Sequence, residues 1–113
     1  MTTDLLPTEL SIEILPLKKG ALVFRAVNNG LRQQILQLIH KKKTIIVKDI
    51  YTKLRIEQAV ASQHLAILRK AGLVLTQRDG KFIHYSIHYK RLEELHYFAE
   101  QLLLLQESKA RYL

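Results

Sequence analysis

The chain has no cysteine among its 113 residues. Disulfides, thiolate metal sites and thiol redox switches are therefore excluded. Long apolar runs are missing too: a stretch such as Leu102 to Leu105 is far too short to span a bilayer. The first 17 residues hold Asp4, Glu9 and Glu13 but no Lys or Arg, so the basic start of a signal peptide is absent. A cytoplasmic protein without membrane attachment is expected. No Gly-rich phosphate loop, convergent carboxylate cluster, repeat or low-complexity tract occurs. Ser62 and His64 stand two apart in a helical stretch and so point to different faces. No enzyme and no cofactor are expected.

What is present is apolar material and positive charge. Hydrophobic residues make up 48% and charged residues 25%, ordinary values for one folded domain. Lys and Arg number 18 against 10 Asp and Glu, a net of +8, but the charge is partitioned. Residues 18–91 carry 16 of those bases against Asp49, Glu57 and Asp79 alone, while both ends of the chain are net acidic. A basic centre between acidic ends suits a polyanion-binding module; the bland alternative is a solvated, lysine-rich surface.

Residues 1–15 contain Pro7 and no clean period, and are expected as an N-terminal extension. Pro16 suits the first turn of a helix, and Leu17 to Asn28 then shows apolar residues on more than one face. Asn29-Gly30 reads as a helix stop or turn. Leu31, Ile35, Leu38 and Ile39 form the apolar side of a second helix, closed by Lys41-Lys42-Lys43. Thr44-Ile45-Ile46 suits a brief strand. Val47, Ile50, Tyr51 and Leu54 make a two-turn helix, and only Arg55, Ile56 and Glu57 separate it from the helical stretch Gln58 to Ala71. Two helices joined so tightly are a helix-turn-helix. Leu73 to Gln77 and Lys81 to Ile87 read as strands around Arg78-Asp79-Gly80, which holds an Asp-Gly hairpin signal. Leu92, Leu95, Phe98, Ala99, Leu102 and Leu103 then recur at helical spacing. The order α-α-(short β)-α-α-β-β-α, mostly helical with a β-hairpin wing, is that of a winged helix-turn-helix.

At about 100° per residue, Gln58, Ala59, Ser62, Gln63 and Ala66 share one side of the second helix of the pair, opposite Ala61, Leu65, Leu68 and Ala71. Small and amide side chains would let the backbone approach a groove, and Gln58 or Gln63 could bond adenine N6 and N7. An ordinary amphipathic surface helix is the alternative. His64 falls on the core side or its edge, where it can pack, offer a nitrogen to backbone or phosphate, or read a base. Lys48, Lys53, Arg55, Arg78 and Lys81 surround this helix as candidate phosphate contacts.

Three stretches together resemble the ArsR-type repressors: Ala61-Ser62-Gln63-His64-Leu65-Ala66-Ile67-Leu68-Arg69-Lys70-Ala71-Gly72-Leu73-Val74, the wing from Arg78 to Ile87, and Leu31-Arg32-Gln33-Gln34-Ile35-Leu36. The likeness spans residues 17–103. It implies a sequence-specific bacterial regulator that binds double-stranded DNA at a palindromic operator. The match carries DNA contact onto Ser62 and Gln63, with His64 adjacent, and onto the Arg78–Lys81 tip; with Gln58 and Ala59 from the helical face, these make the candidate base-reading set Gln58, Ala59, Ser62, Gln63 and His64. It further implies a homodimer through the first and last helices, at Leu22, Leu92, Leu95, Phe98, Ala99, Leu102 and Leu103. The winged domain would cover 16–107, with a tail over 108–113. The turn departs from the family in lacking Gly, which predicts a turn without positive φ. Cysteine-based metal and persulfide sensing is excluded, and Lys90 and Arg91 stand where other members carry ligands. His96 and Glu100 lie at i, i+4, but without a second close pair, counting His88, no metal site is expected. A winged-helix protein-interaction module is the alternative, and it predicts DNA binding without sequence preference.

Overall fold

The computed structural model describes residues 11–112. Its elements are α1 (Ile14–Val27), α2 (Gly30–Lys42), β1 (Ile45–Ile46), α3 (Val47–Leu54), α4 (Gln58–Lys70), β2 (Val74–Asp79), β3 (Phe82–Ile87) and α5 (Tyr89–Tyr112). Residues 1–10 of the expected extension lie outside the described residues. Helix α1 starts two residues before Pro16, which leaves that proline in the first turn, where an N–H has no intrahelical acceptor. Helix α5 continues to Tyr112, through most of the stretch expected as a tail.

Asn29-Gly30 divides its work differently from a plain stop. Asn28 ends α1, whereas Asn29 starts α2: its side-chain oxygen accepts from Arg32 N at 2.9 Å. That is a helix N-cap, which satisfies one of the unpaired donors of the first turn.

The turn between α3 and α4 corrects the sequence expectation. Arg55 adopts φ 56 and ψ 46, the left-handed conformation, although it is not glycine. Ile56 N donates to Tyr51 O at 3.0 Å and Arg55 N to Thr52 O at 3.3 Å. Closing a helix with this pair of backward bonds requires a left-handed residue at its end. The geometry of the bend therefore outweighs the residue's own preference.

The hairpin also shifts. Asp79 pairs with Phe82, so both strands extend to the tip and the loop is only Gly80-Lys81. Gly80 has φ +61, as the first loop residue of a type II′ turn demands. The sheet order is β1-β3-β2, with Ile45 opposite Tyr85 and Ile46 opposite His84.

Ile35 and Ile39 of α2, Ile50 of α3, Leu65 and Leu68 of α4, and Leu73 before β2 are the largest fully buried side chains. Ile45, Val74, Tyr85 and Ile87 close the core from the sheet side. Each large apolar group so buried contributes on the order of 1.5–3 kcal/mol. This core fixes α4 by one face only and leaves the opposite face free.

Candidate nucleic-acid interface

Helix α4 buries Ala61, Leu65 and Leu68, residues at i, i+4 and i+7. The other side is exposed: Gln58, Ala59, Ser62, Gln63 and Ala66 all face outward. Helical periodicity alone produces this division, because the core takes one stripe of a helix and solvent takes the rest. Glu57 occupies the N-cap position in extended conformation, without a side-chain cap bond. Its carboxylate still stands at the positive end of the helix dipole.

Lys48 and Lys53 on α3, Arg55 in the turn, and Arg78 and Lys81 at the hairpin tip are likewise exposed. The wheel reading passed over Arg69 and Lys70. With Ser62, Ala66 and Tyr85 they line an open groove of 530 Å³ between α4 and the strand side. Their signal lay in the sequence as two cations in the last turn of α4. Arg78 and Lys81 stand outside that groove, and the Lys81 ammonium lies 5.7 Å from the Phe82 ring centroid.

His64 is half-buried at the border of the two faces. Its ring joins a connection that the sequence reading missed. Arg32 on α2 is the buried polar residue of the described chain. Its Nη1 donates to His64 Nδ1 at 3.1 Å, its Nε to Ala26 O at 2.6 Å and its Nη2 to Arg25 O at 3.1 Å. Burial, and secondarily the Arg32 charge, holds the His64 pKa below the usual histidine value. Position on the helix could have signalled Arg32: it shares a face with Ile35 and Ile39, at i+3 and i+7.

A second face is apolar. Leu22 of α1 and Phe98, Leu102 and Leu103 of α5 are exposed by 55%, 58%, 60% and 59%. Leu92, Leu95 and Ala99 are half-buried, and the two leucines pack against the chain's own core. The first turns of α5 thus dock onto the domain while its later turns leave large apolar groups in solvent. Helices α1 and α5 flank a common 190 Å³ groove lined by Val23, Phe24, Leu95 and Phe98. Patches of this kind on a folded chain mark contact surfaces.

The histidines near α5 are otherwise engaged. His88 Nδ1 accepts from Arg91 N at 3.2 Å, capping the helix start. His40 Nδ1 lies 2.7 Å from the Tyr89 hydroxyl, and His96 lies 3.2 Å from Glu100. Among the described residues, no group of three metal-ligating side chains comes together, and no helix is long and apolar enough to cross a membrane.

Residues 29–76 match the family model described as bacterial regulatory protein, arsR family. The chain is 32% identical over 85 residues to HTH-type transcriptional regulator MJ1325 of Methanocaldococcus jannaschii, covering 75% of this chain and 96% of that one. It is 33% identical over 72 residues to the transcriptional repressor SdpR of Bacillus subtilis, covering 64% and 79%. Among solved structures, the homodimeric winged helix-turn-helix DNA-binding domain Mb0332 of Mycobacterium bovis superposes with a TM-score of 0.65 at 26% identity, covering 89% and 90%.

Proposed function

Because the chain belongs to the arsR family of bacterial helix-turn-helix transcriptional regulators, we propose that it is a repressor that binds a palindromic operator as a homodimer. The observation that carries this reading is the exposed N-terminal face of α4, Gln58, Ala59, Ser62, Gln63 and Ala66, which holds only small and amide side chains, within a frame of exposed cations on α3, the turn and the hairpin. Such a helix enters the major groove with its first turns, while the surrounding Lys and Arg set register on the phosphates. Gln58 and Gln63 each present an amide suited to adenine N6 and N7, Ser62 bonds either partner, and Ala59 can meet a thymine methyl. Lys48, Lys53, Arg55, Arg78 and Lys81 neutralise phosphates and supply most of the salt-dependent affinity.

Dimerisation through α1 and α5 follows from the same economy of surface. Leu22, Phe98, Leu102 and Leu103 lose their contact with water only against another surface, and a two-fold pairing covers both copies with one patch. Two α4 helices then face successive major grooves about 34 Å apart, which is why the operator is palindromic. The SdpR likeness favours repression, achieved when the occupied operator blocks transcription.

Selection of genomic fragments with the purified protein tests this reading. Enriched fragments should share a palindrome. Gln63→Ala should cost about 1–3 kcal/mol on that site and relax preference at one base position per half-site. Recovery of fragments with no common sequence would instead favour the protein-interaction module. Running the selection with zinc and with chelator shows whether a metal modulates the operator complex.

A further inference from the structure

Arg32 is buried without a carboxylate partner: neither ion pair of the described residues includes it. Its charge rests on backbone. Ala26 O and Arg25 O belong to the last turn of α1, at the negative end of the helix dipole, and Arg25 O also accepts from Asn28 N at 3.2 Å. The third donor crosses 32 positions of sequence to the imidazole of His64 on α4. One planar group therefore ties α1, α2 and α4 together.

That contact dictates the state of the imidazole. A guanidinium can only donate, so Nδ1 must keep its lone pair, and in the neutral ring the proton sits on Nε2. His64 immediately follows Gln63, at the border between the buried and the outward side of α4. In a helix lying in a groove, a group at that border would flank the groove, nearer the DNA backbone than the base edges. Phosphate oxygens accept hydrogen bonds and never donate them.

We propose that Arg32 is a positioning residue for DNA binding: by occupying Nδ1 it locks His64 in the Nε2–H tautomer and presents that N–H to a backbone phosphate oxygen beside α4. This rests on the DNA-binding reading above. It reassigns His64 from base reading to backbone contact and makes the placement of the contact depend on α1. The low proton affinity of the ring agrees with an Nδ1 that faces a cation.

Two substitutions separate the two nitrogens. Asn keeps an oxygen near the Nδ1 position but has no atom at Nε2; Gln reaches the Nε2 position with an N–H but leaves Arg32 without its acceptor. His64→Asn should retain the thermal midpoint and lose about tenfold in affinity, equally on operator and unrelated DNA. His64→Gln, which supplies an N–H without the Arg32 contact, should recover only part of that loss on both DNAs, and full recovery would show that Arg32 does not position the contact. Nitrogen-15 spectra of histidine-labelled protein should show His64 as the Nε2–H tautomer, its signals identified by their loss in His64→Asn. In Arg32→Gln, checked for folding by its thermal transition, that ring should revert to mixed tautomers. Wild-type affinity in His64→Asn, a loss confined to one base pair, or an Nδ1–H tautomer in the wild type would each overturn the proposal. If the wild type binds no DNA, the function reading fails instead, while the spectra still decide the tautomer.

Discussion

Replacing Arg55 by Gly should make the protein more stable and a weaker DNA binder at once. Arg55 ends α3 at φ 56 and ψ 46, and a side chain in this conformation costs roughly 1–2 kcal/mol. Glycine removes that cost but loses more freedom on folding, about 0.5–1 kcal/mol. Both bonds that close the turn, Arg55 N to Thr52 O and Ile56 N to Tyr51 O, are made by backbone and survive the substitution. The net gain is about 0.5–1 kcal/mol, or a rise in midpoint of about 2–4 °C for a domain of this size. Melts must be compared at equal protein concentration, since a dimer's stability depends on it. On DNA, loss of one phosphate contact should flatten the slope of log K against log salt by about one unit. Arg55→Asn, which also tolerates the left-handed region, should move both quantities in the same directions. A lower midpoint in Arg55→Gly would refute the strain assignment, and an unchanged salt slope would refute the phosphate contact.

Arg78→Ala should weaken binding to all sequences alike and reduce the salt slope by about one unit; a change in sequence preference would place Arg78 on bases instead. Leu102→Glu combined with Leu103→Glu should shift the protein to monomer in sedimentation at micromolar concentration, because both side chains are exposed on α5. A wild type already monomeric there would count against the pairing surface. For His64, the folded pKa lies below 6.5, so as pH falls the unfolded ring takes up its proton first. The stabilisation is complete above the unfolded value and is lost as pH drops through the folded one. Denaturant titrations should therefore show a decline below about pH 6.5 that His64→Gln removes in part. Equal pH profiles for the two proteins would contradict the neutral folded ring.

Much of this molecule was legible in the chain because its elements are specified locally. Ala61, Leu65 and Leu68 announce the buried stripe of α4 by spacing alone, and the exposed amides opposite follow from the same period. The hairpin was readable from Asp79-Gly80, although its loop proved to be Gly80-Lys81, since strand pairing carried the ladder to Asp79 and Phe82. Asn29 showed itself as a turn former but not as the cap it is. Only the presence of Arg32 N three residues on, with a helix to start there, gives its side chain that role.

By itself, then, the sequence determined the order of elements, the two faces of α4, the basic middle of the chain and the lack of any thiol chemistry. All of these depend on residue type and on spacings of a few positions. Tertiary structure decided what no local spacing contains. It put Arg55 in a left-handed conformation because α3 and α4 must meet at a set angle over the shared core. It separated Leu92 and Leu95, which dock on that core, from Leu102 and Leu103, which do not. And it brought the guanidinium of Arg32 to the imidazole of His64, a contact that exists only once α1, α2 and α4 have packed.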